Sequence, residues 1–164
     1  MLHRLFRLYH DLDRLIAALP PAIGLLALRL ALAIPFWRSG LTKWDGWLSL
    51  SSGARYLFEQ EFKLHIFGQA FAYPFPLTAA FLAGLGELVL PVLLVLGLGT
   101  RLAALGILAM TLVIQLTIPD GLLNFHLSWG AMALGLMAFG GGRLSLDAVL
   151  AGAAWTRPVA ARQG

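Results

Sequence analysis

Apolar residues along this chain recur with two different rhythms. In "MLHRLFRLYHDLDRLIAALPP", Leu2, Leu5, Phe6, Tyr9, Leu12, Leu15, Ile16 and Leu19 follow helical three-and-four spacing, with Arg4, Arg7, Asp11 and Arg14 off that stripe. This pattern predicts an amphipathic helix over residues 1–21 lying in a membrane interface. Acidic residues within it and the lack of a small-residue cleavage site argue against a secretory signal peptide, and Pro20-Pro21 ends the helix. Beyond it the rhythm changes to almost unbroken apolar runs at residues 22–44, 77–98, 101–118 and 122–139. Each is near the roughly 20 residues that a helix needs to cross a bilayer. "GLGTR" at 97–101 and "IPDG" at 118–121 supply turn residues, and such short connections make neighbouring helices antiparallel. The predicted fold is all-α: a single-domain, integral membrane four-helix up-down bundle, preceded by an interfacial amphipathic helix and followed by a tail at 140–164.

Composition agrees with a lipid environment. Hydrophobic residues make up 59% of the 164 and charged ones 12%, with a mean hydropathy of +0.80, against about 45–50% and about 25% in soluble domains. The chain has no cysteine, which excludes disulfides, thiolate metal sites and thiol redox motifs; no metal site is expected. A net charge of +4 is spread along the flanks of the apolar runs, so the lipid bilayer, and not nucleic acid, is the expected partner. With both termini cytoplasmic, the inner side carries Arg4, Arg7, Arg14, Arg101, Arg143, Arg157 and Arg162, and the outer side Arg38, Lys43, Arg55 and Lys63. Seven against four favours that orientation in the cell inner membrane. Residues 45–76 form the longest extramembrane segment and are strongly aromatic, which suits an outer interfacial loop or a lid over a site.

Few polar residues fall inside the spans. Glu87 is ten residues into the second run, roughly 15 Å deep and close to the bilayer midplane. Arg29 is the nearest cation by depth, about 5 Å away along the normal if the first two helices are adjacent. Glu87 could therefore pair with Arg29, exchange protons or contact a substrate, or remain protonated and donate to a backbone carbonyl. Towards the outer face, Arg38, Gln115, Asn124 and His126 reach a similar level, with Lys43 above them and Trp129 three residues after His126. Glu87 and His126 are the candidate proton-exchanging groups, and Arg29, Arg38, Lys43, Gln115, Asn124 and Trp129 the candidate substrate-binding ones. Each has an architectural alternative: His126 as an interfacial hydrogen-bonding residue, Trp129 as packing. A lone His in the spans cannot supply paired axial ligands to a haem. Gly84, Gly86, Gly97, Gly106, Gly130 and Gly135 are read as close-packing positions, and Pro35 and Pro91 as kinks that free carbonyls.

"RLALAIPFWRSGLTKW", "GELVLPVLLVLGLGTRLAALGILAM" and the closing "GGGRLSLD" together resemble the DoxX family of small four-helix membrane proteins, from about Leu25 to Asp147. "YLFEQEFKLHIF" is further similar to members linked to DUF692-type proteins and copper-binding modified peptides. The positions that match the family's polar pattern are Arg29, Gly40, Lys43, Glu87, Arg101, Arg143 and Asp147. The resemblance implies association with membrane redox systems, including a quinone-reducing thiosulfate oxidoreductase, but transfers no cofactor ligand. Two expectations follow. One is a redox-linked membrane subunit, with membrane or redox partner proteins, whose outer pocket binds a quinone headgroup; Glu87 or His126 would exchange the proton and Arg38 or Lys43 would bind an anionic oxygen. The other is a non-catalytic anchor or assembly partner, in which copper-peptide handling is one setting. Whether the chain is an enzyme stays open, and transport through a homo-oligomer is a third reading.

Overall fold

The computed structural model describes residues 2–155; Arg157 and Arg162, counted above on the inner side, lie outside the described residues. Among the described residues, seven α-helices and two small antiparallel hairpins follow one another. Helix α1 (Leu2–Ala17) leaves Leu5, Phe6, Tyr9, Leu12, Leu15 and Ile16 at least half exposed along its apolar stripe, as a helix lying in an interface would. Pro20 in an extended conformation and Pro21 at the first helical position then start α2 (Pro21–Leu41), where a missing N–H costs nothing.

Among the described residues, four helical stretches are long and apolar enough to cross a membrane: α2, α4 (Pro76–Leu96), α5 (Thr100–Thr117), and the stretch Pro119–Phe139, which ends in α6 (Leu127–Phe139). They form an all-α membrane bundle in which α2 packs chiefly on α4 and α5 chiefly on α6. Alternating large and small side chains meet at its centre, with Leu32, Phe36, Leu94, Ile107 and Leu136 against Ala33, Ala103, Ala104 and Ala133. Lipid supplies no hydrophobic drive between helices, so close van der Waals fit must hold this core. Gly40 lets α2 and α4 approach closely: a Cβ there would sit 3.0 Å from both the Glu87 carbonyl carbon and its Cβ. Gly97 is the close-packing position expected of it, since a Cβ there would come within 2.8 Å of the Ser145 backbone, and it has a second role. At φ +69° it ends α4 in the left-handed conformation, with the Leu98 amide donating back to the Leu93 carbonyl at 2.9 Å.

Between α2 and α4 the sequence predicts an interfacial loop, and the structure instead has a folded insertion. It comprises β1 (Trp44–Gly46), β2 (Ser49–Leu50), α3 (Ser52–Tyr56), a π-helical turn (Leu57–Glu61), β3 (Lys63–Ile66) and β4 (Gln69–Ala72). Leu50, Ala54 and Phe58 pack against Ala80 of α4 in a second apolar cluster, while the Tyr73 hydroxyl and Thr117 meet at 2.6 Å and His65 Nδ1 lies 3.1 Å from the Leu116 carbonyl on α5. The insertion thus covers the halves of α4 and α5 remote from their connecting turn. The β3–β4 turn is Phe67-Gly68, both at positive φ (50° and 78°). Such two-residue hairpin turns favour Asn-Gly, so the bulky Phe67 conceals the hairpin from sequence reading.

Candidate functional site: an apolar cavity with an ion pair and an oriented histidine

Two polar clusters lie at opposite ends of the bundle, and they separate residues that depth alone would group. The first surrounds the α4–α5 turn. Arg29, fully buried, donates from Nη1 to the carbonyls of Leu94 and Val95, each at 3.3 Å, and from Nη2 to the carbonyl of Leu144. Leu94 and Val95 belong to the last turn of α4, where carbonyls lose their regular helical partners; the Gly97 amide reaches Leu94 at 3.1 Å and the guanidinium adds a second donor there and one for Val95. It does so from a neighbouring helix and places positive charge at the negative end of the α4 dipole. Asp147, in the first turn of α7 (Leu146–Trp155), does the converse for α5: its carboxylate accepts from the amides of Gly99 at 2.7 Å and Thr100 at 2.9 Å. Burial tends to raise the Asp147 pKa, but those two amides and the Arg29 charge outweigh it and hold the carboxyl below its ordinary value. Asp147 also donates its own amide to the Gly97 carbonyl at 2.9 Å, tying "GGGRLSLD" to the turn.

Arg29 therefore does not pair with Glu87. Glu87 lies seven residues before Leu94, roughly 10 Å further along α4. Level with Glu87 instead are Gly40 at the end of α2 and Lys43 just beyond it. Lys43 Nζ is 2.6 Å from Glu87 Oε2 and donates also to Ser39 Oγ at 3.1 Å. Glu87 is 4% exposed, so the carboxylate is removed from solvent while its one charged partner stays beside it. Pro91 has no N–H to offer the Glu87 carbonyl one turn earlier, leaving that backbone oxygen free of its usual helical partner.

The pair lines a cavity of about 840 Å³ enclosed by α2, the insertion, α4, α5 and the stretch leading into α6. Its wall is mostly apolar, including Phe36, Phe58, Phe62, Leu82, Met110 and Trp129. Opposite elements supply Asn124 and His126 from a second π-helical turn, Leu122–His126. π-helical turns occur preferentially at functional sites, and here both contribute to the cavity wall. Gln115 stands behind His126: its Nε2 donates to the Pro119 carbonyl at 2.9 Å and its Oε1 lies 2.7 Å from His126 Nδ1. Trp129 packs against His126 and Phe36, with ring centroids 5.4 and 5.0 Å apart, so the packing and cavity-wall roles coexist.

Of the residues singled out from sequence, Lys43, Glu87, Asn124, His126 and Trp129 meet at this cavity and Gln115 orients one of them. Arg29 is at the far turn, and Arg38 borders a separate shallow groove on the outside of α2 and α4 with Trp37 and Pro91. Ser39, Tyr73 and the aromatic wall from the insertion escape sequence reading; only the four-residue spacing of Ser39 and Lys43 hints at one of these contacts.

Helices of this length and hydropathy, bundled around a half-enclosed apolar cavity, define a multi-pass membrane protein. Residues 24–120 of the 164 match the DoxX family model, and the chain belongs to the DoxX family. No curated protein and no solved structure matches it significantly.

Proposed function

We propose that this DoxX protein is a redox-linked membrane subunit that binds a lipophilic ring compound of the quinone class in the cavity. The observation that carries the reading is the placing of the Lys43–Glu87 pair and His126 on the wall of one mostly apolar cavity. Ligand sites of this size are largely apolar with a few convergent polar groups. A quinone headgroup needs the same combination, an aromatic or aliphatic wall for the ring and donors or acceptors for its oxygens. Lys43 has three N–H donors, two of them engaged by Glu87 and Ser39, which leaves one for a ligand oxygen. Reduction of a quinone takes up two electrons and two protons; in this reading a membrane redox partner delivers the electrons, and Glu87 and His126 exchange the protons. Arg4, Arg7, Arg14, Arg101 and Arg143 support a cytoplasmic location for both termini in the inner membrane.

Reconstitution in lipid nanodiscs and titration with decyl-ubiquinone, followed by Trp fluorescence, tests the reading. Saturable quenching that Trp129→Phe diminishes and that Glu87→Gln or His126→Ala weakens at least several-fold is expected. Linear quenching indifferent to all three substitutions would refute it.

A non-catalytic assembly role is favoured by one other observation. Phe67 is fully exposed at φ +50°, and Trp47 is 93% exposed beside Leu48 at φ +53°, so both hairpin tips present apolar residues next to or at strained backbone. A left-handed non-glycine residue costs about 1–2 kcal/mol, and strain of this kind collects at functional surfaces. In this second reading the tips dock a partner protein, copper-peptide machinery being one instance. Phe67→Gly should stabilise the isolated protein by about 1 kcal/mol while abolishing cross-linking to the partner; unchanged cross-linking would argue against it.

A further inference from the structure

The imidazole of His126 has only one described hydrogen-bond partner, and that partner's orientation is determined. The Pro119 carbonyl can only accept, so the Gln115 atom 2.9 Å from it must be the amide nitrogen. Gln115 therefore turns its carbonyl oxygen to His126 Nδ1, 2.7 Å away, and a carbonyl oxygen can only accept. In the neutral ring the proton must then sit on Nδ1, leaving Nε2 with a lone pair. Gly121 approaches that edge of the ring without a side chain, where a Cβ would come within 2.7 Å of Nε2, and both residues line the cavity. The ring lines the cavity, beside Trp129.

We propose that Gln115 locks His126 as the Nδ1–H tautomer and that Nε2, as a fixed acceptor, makes the cavity select ligands carrying a hydroxyl, so that a quinol is held more tightly than the corresponding quinone. The inference rests on the quinone-class reading of the cavity and adds to it which redox form the site prefers. A quinol O–H donates to Nε2. A quinone carbonyl has only lone pairs and would face another lone pair; the ring could meet it as a donor only by binding a second proton or by moving its proton from Nδ1, which breaks the bond to Gln115. Leaving such an acceptor unpaired in an apolar site corresponds to about a tenfold difference in affinity. Gln115 is a positioning residue here, acting through the ring it orients.

Two measurements on the full chain in nanodiscs test this. Nitrogen-15 NMR of histidine-labelled protein without ligand should show a protonated Nδ1 and an unprotonated Nε2 for His126, identified by the signals lost in His126→Gln. A proton on Nε2 overturns the proposal whatever binds. Titration with decyl-ubiquinone and decyl-ubiquinol should then give about tenfold tighter binding of the quinol, and Gln115→Leu should mix the tautomers and collapse that ratio towards one. Equal affinities in the unaltered chain would overturn the selectivity and leave the cavity reading standing, whereas no saturable binding of either form would overturn both.

Discussion

Asp147→Asn perturbs the helix-end lock while preserving its shape. The carboxylate accepts from two α5 amides at 2.7 and 2.9 Å. Asparagine can accept with its oxygen but turns an NH₂ group towards the other amide, so one donor loses its partner and the other loses a charged one. Hydrogen bonds to charged groups are worth about 1.5–3 kcal/mol and an N-cap about 0.5–2 kcal/mol. These overlap, and the loss of the favourable charge at the α5 N-terminus adds a few tenths of a kcal/mol. A destabilisation of about 2–3 kcal/mol is expected, or a fall in Tm of about 5–10 °C at this chain length. Thermal unfolding in detergent, followed by near-ultraviolet circular dichroism, measures it, with the exposed Glu59→Gln as control. The pH dependence has a definite sign. Because the folded Asp147 pKa is lowered, its contribution is fully present above the unfolded value and is lost as pH falls through the folded one. The gap between the unaltered protein and Asp147→Asn should therefore be constant from about pH 5 upward and close below about pH 4. A gap under about 1 kcal/mol at pH 7, or one that widens on acidification, would refute the capping role.

The Lys43–Glu87 pair should behave as a buried pair does. Lys43→Met or Glu87→Leu alone should each cost about 3–5 kcal/mol by stranding a charge, and the double substitution less than either; a double-mutant cycle that is merely additive would contradict direct coupling. Gly40→Ala should cost about 1–3 kcal/mol through overpacking, because its Cβ would meet the Glu87 backbone at 3.0 Å. It should also weaken quinone-analogue binding by spreading α2 from α4, which the same nanodisc titration would detect.

Local chemistry determined a large share of this protein. Hydropathy and length place the apolar stretches, and Pro20-Pro21, "GLGTR" and "IPDG" separate them, because insertion into lipid and helix termination depend on consecutive residues and little else. Depth counting also brought Gln115, Asn124 and His126 to one level with Lys43 above them, since each lies at a known rise along its own helix, but it grouped Arg38 with them and set Glu87 at the midplane beside Arg29. The tertiary structure alone decided which cation serves which partner. Counting from helix ends assumes that neighbouring helices start level, but α2 is displaced along α4 until Arg29 reaches the last-turn carbonyls of Leu94 and Val95 and Lys43 reaches Glu87. Asp147, far from the α5 N-terminus in sequence, could be recognised as its cap only once the chain had turned back to it. The cavity wall likewise depended on Phe58, Phe62 and Tyr73 folding inward from a segment whose aromatic residues, taken singly, suit an interface equally well. Helix formation is written locally; axial displacement between helices and the choice of long-range hydrogen-bond partner follow from packing the whole chain at once.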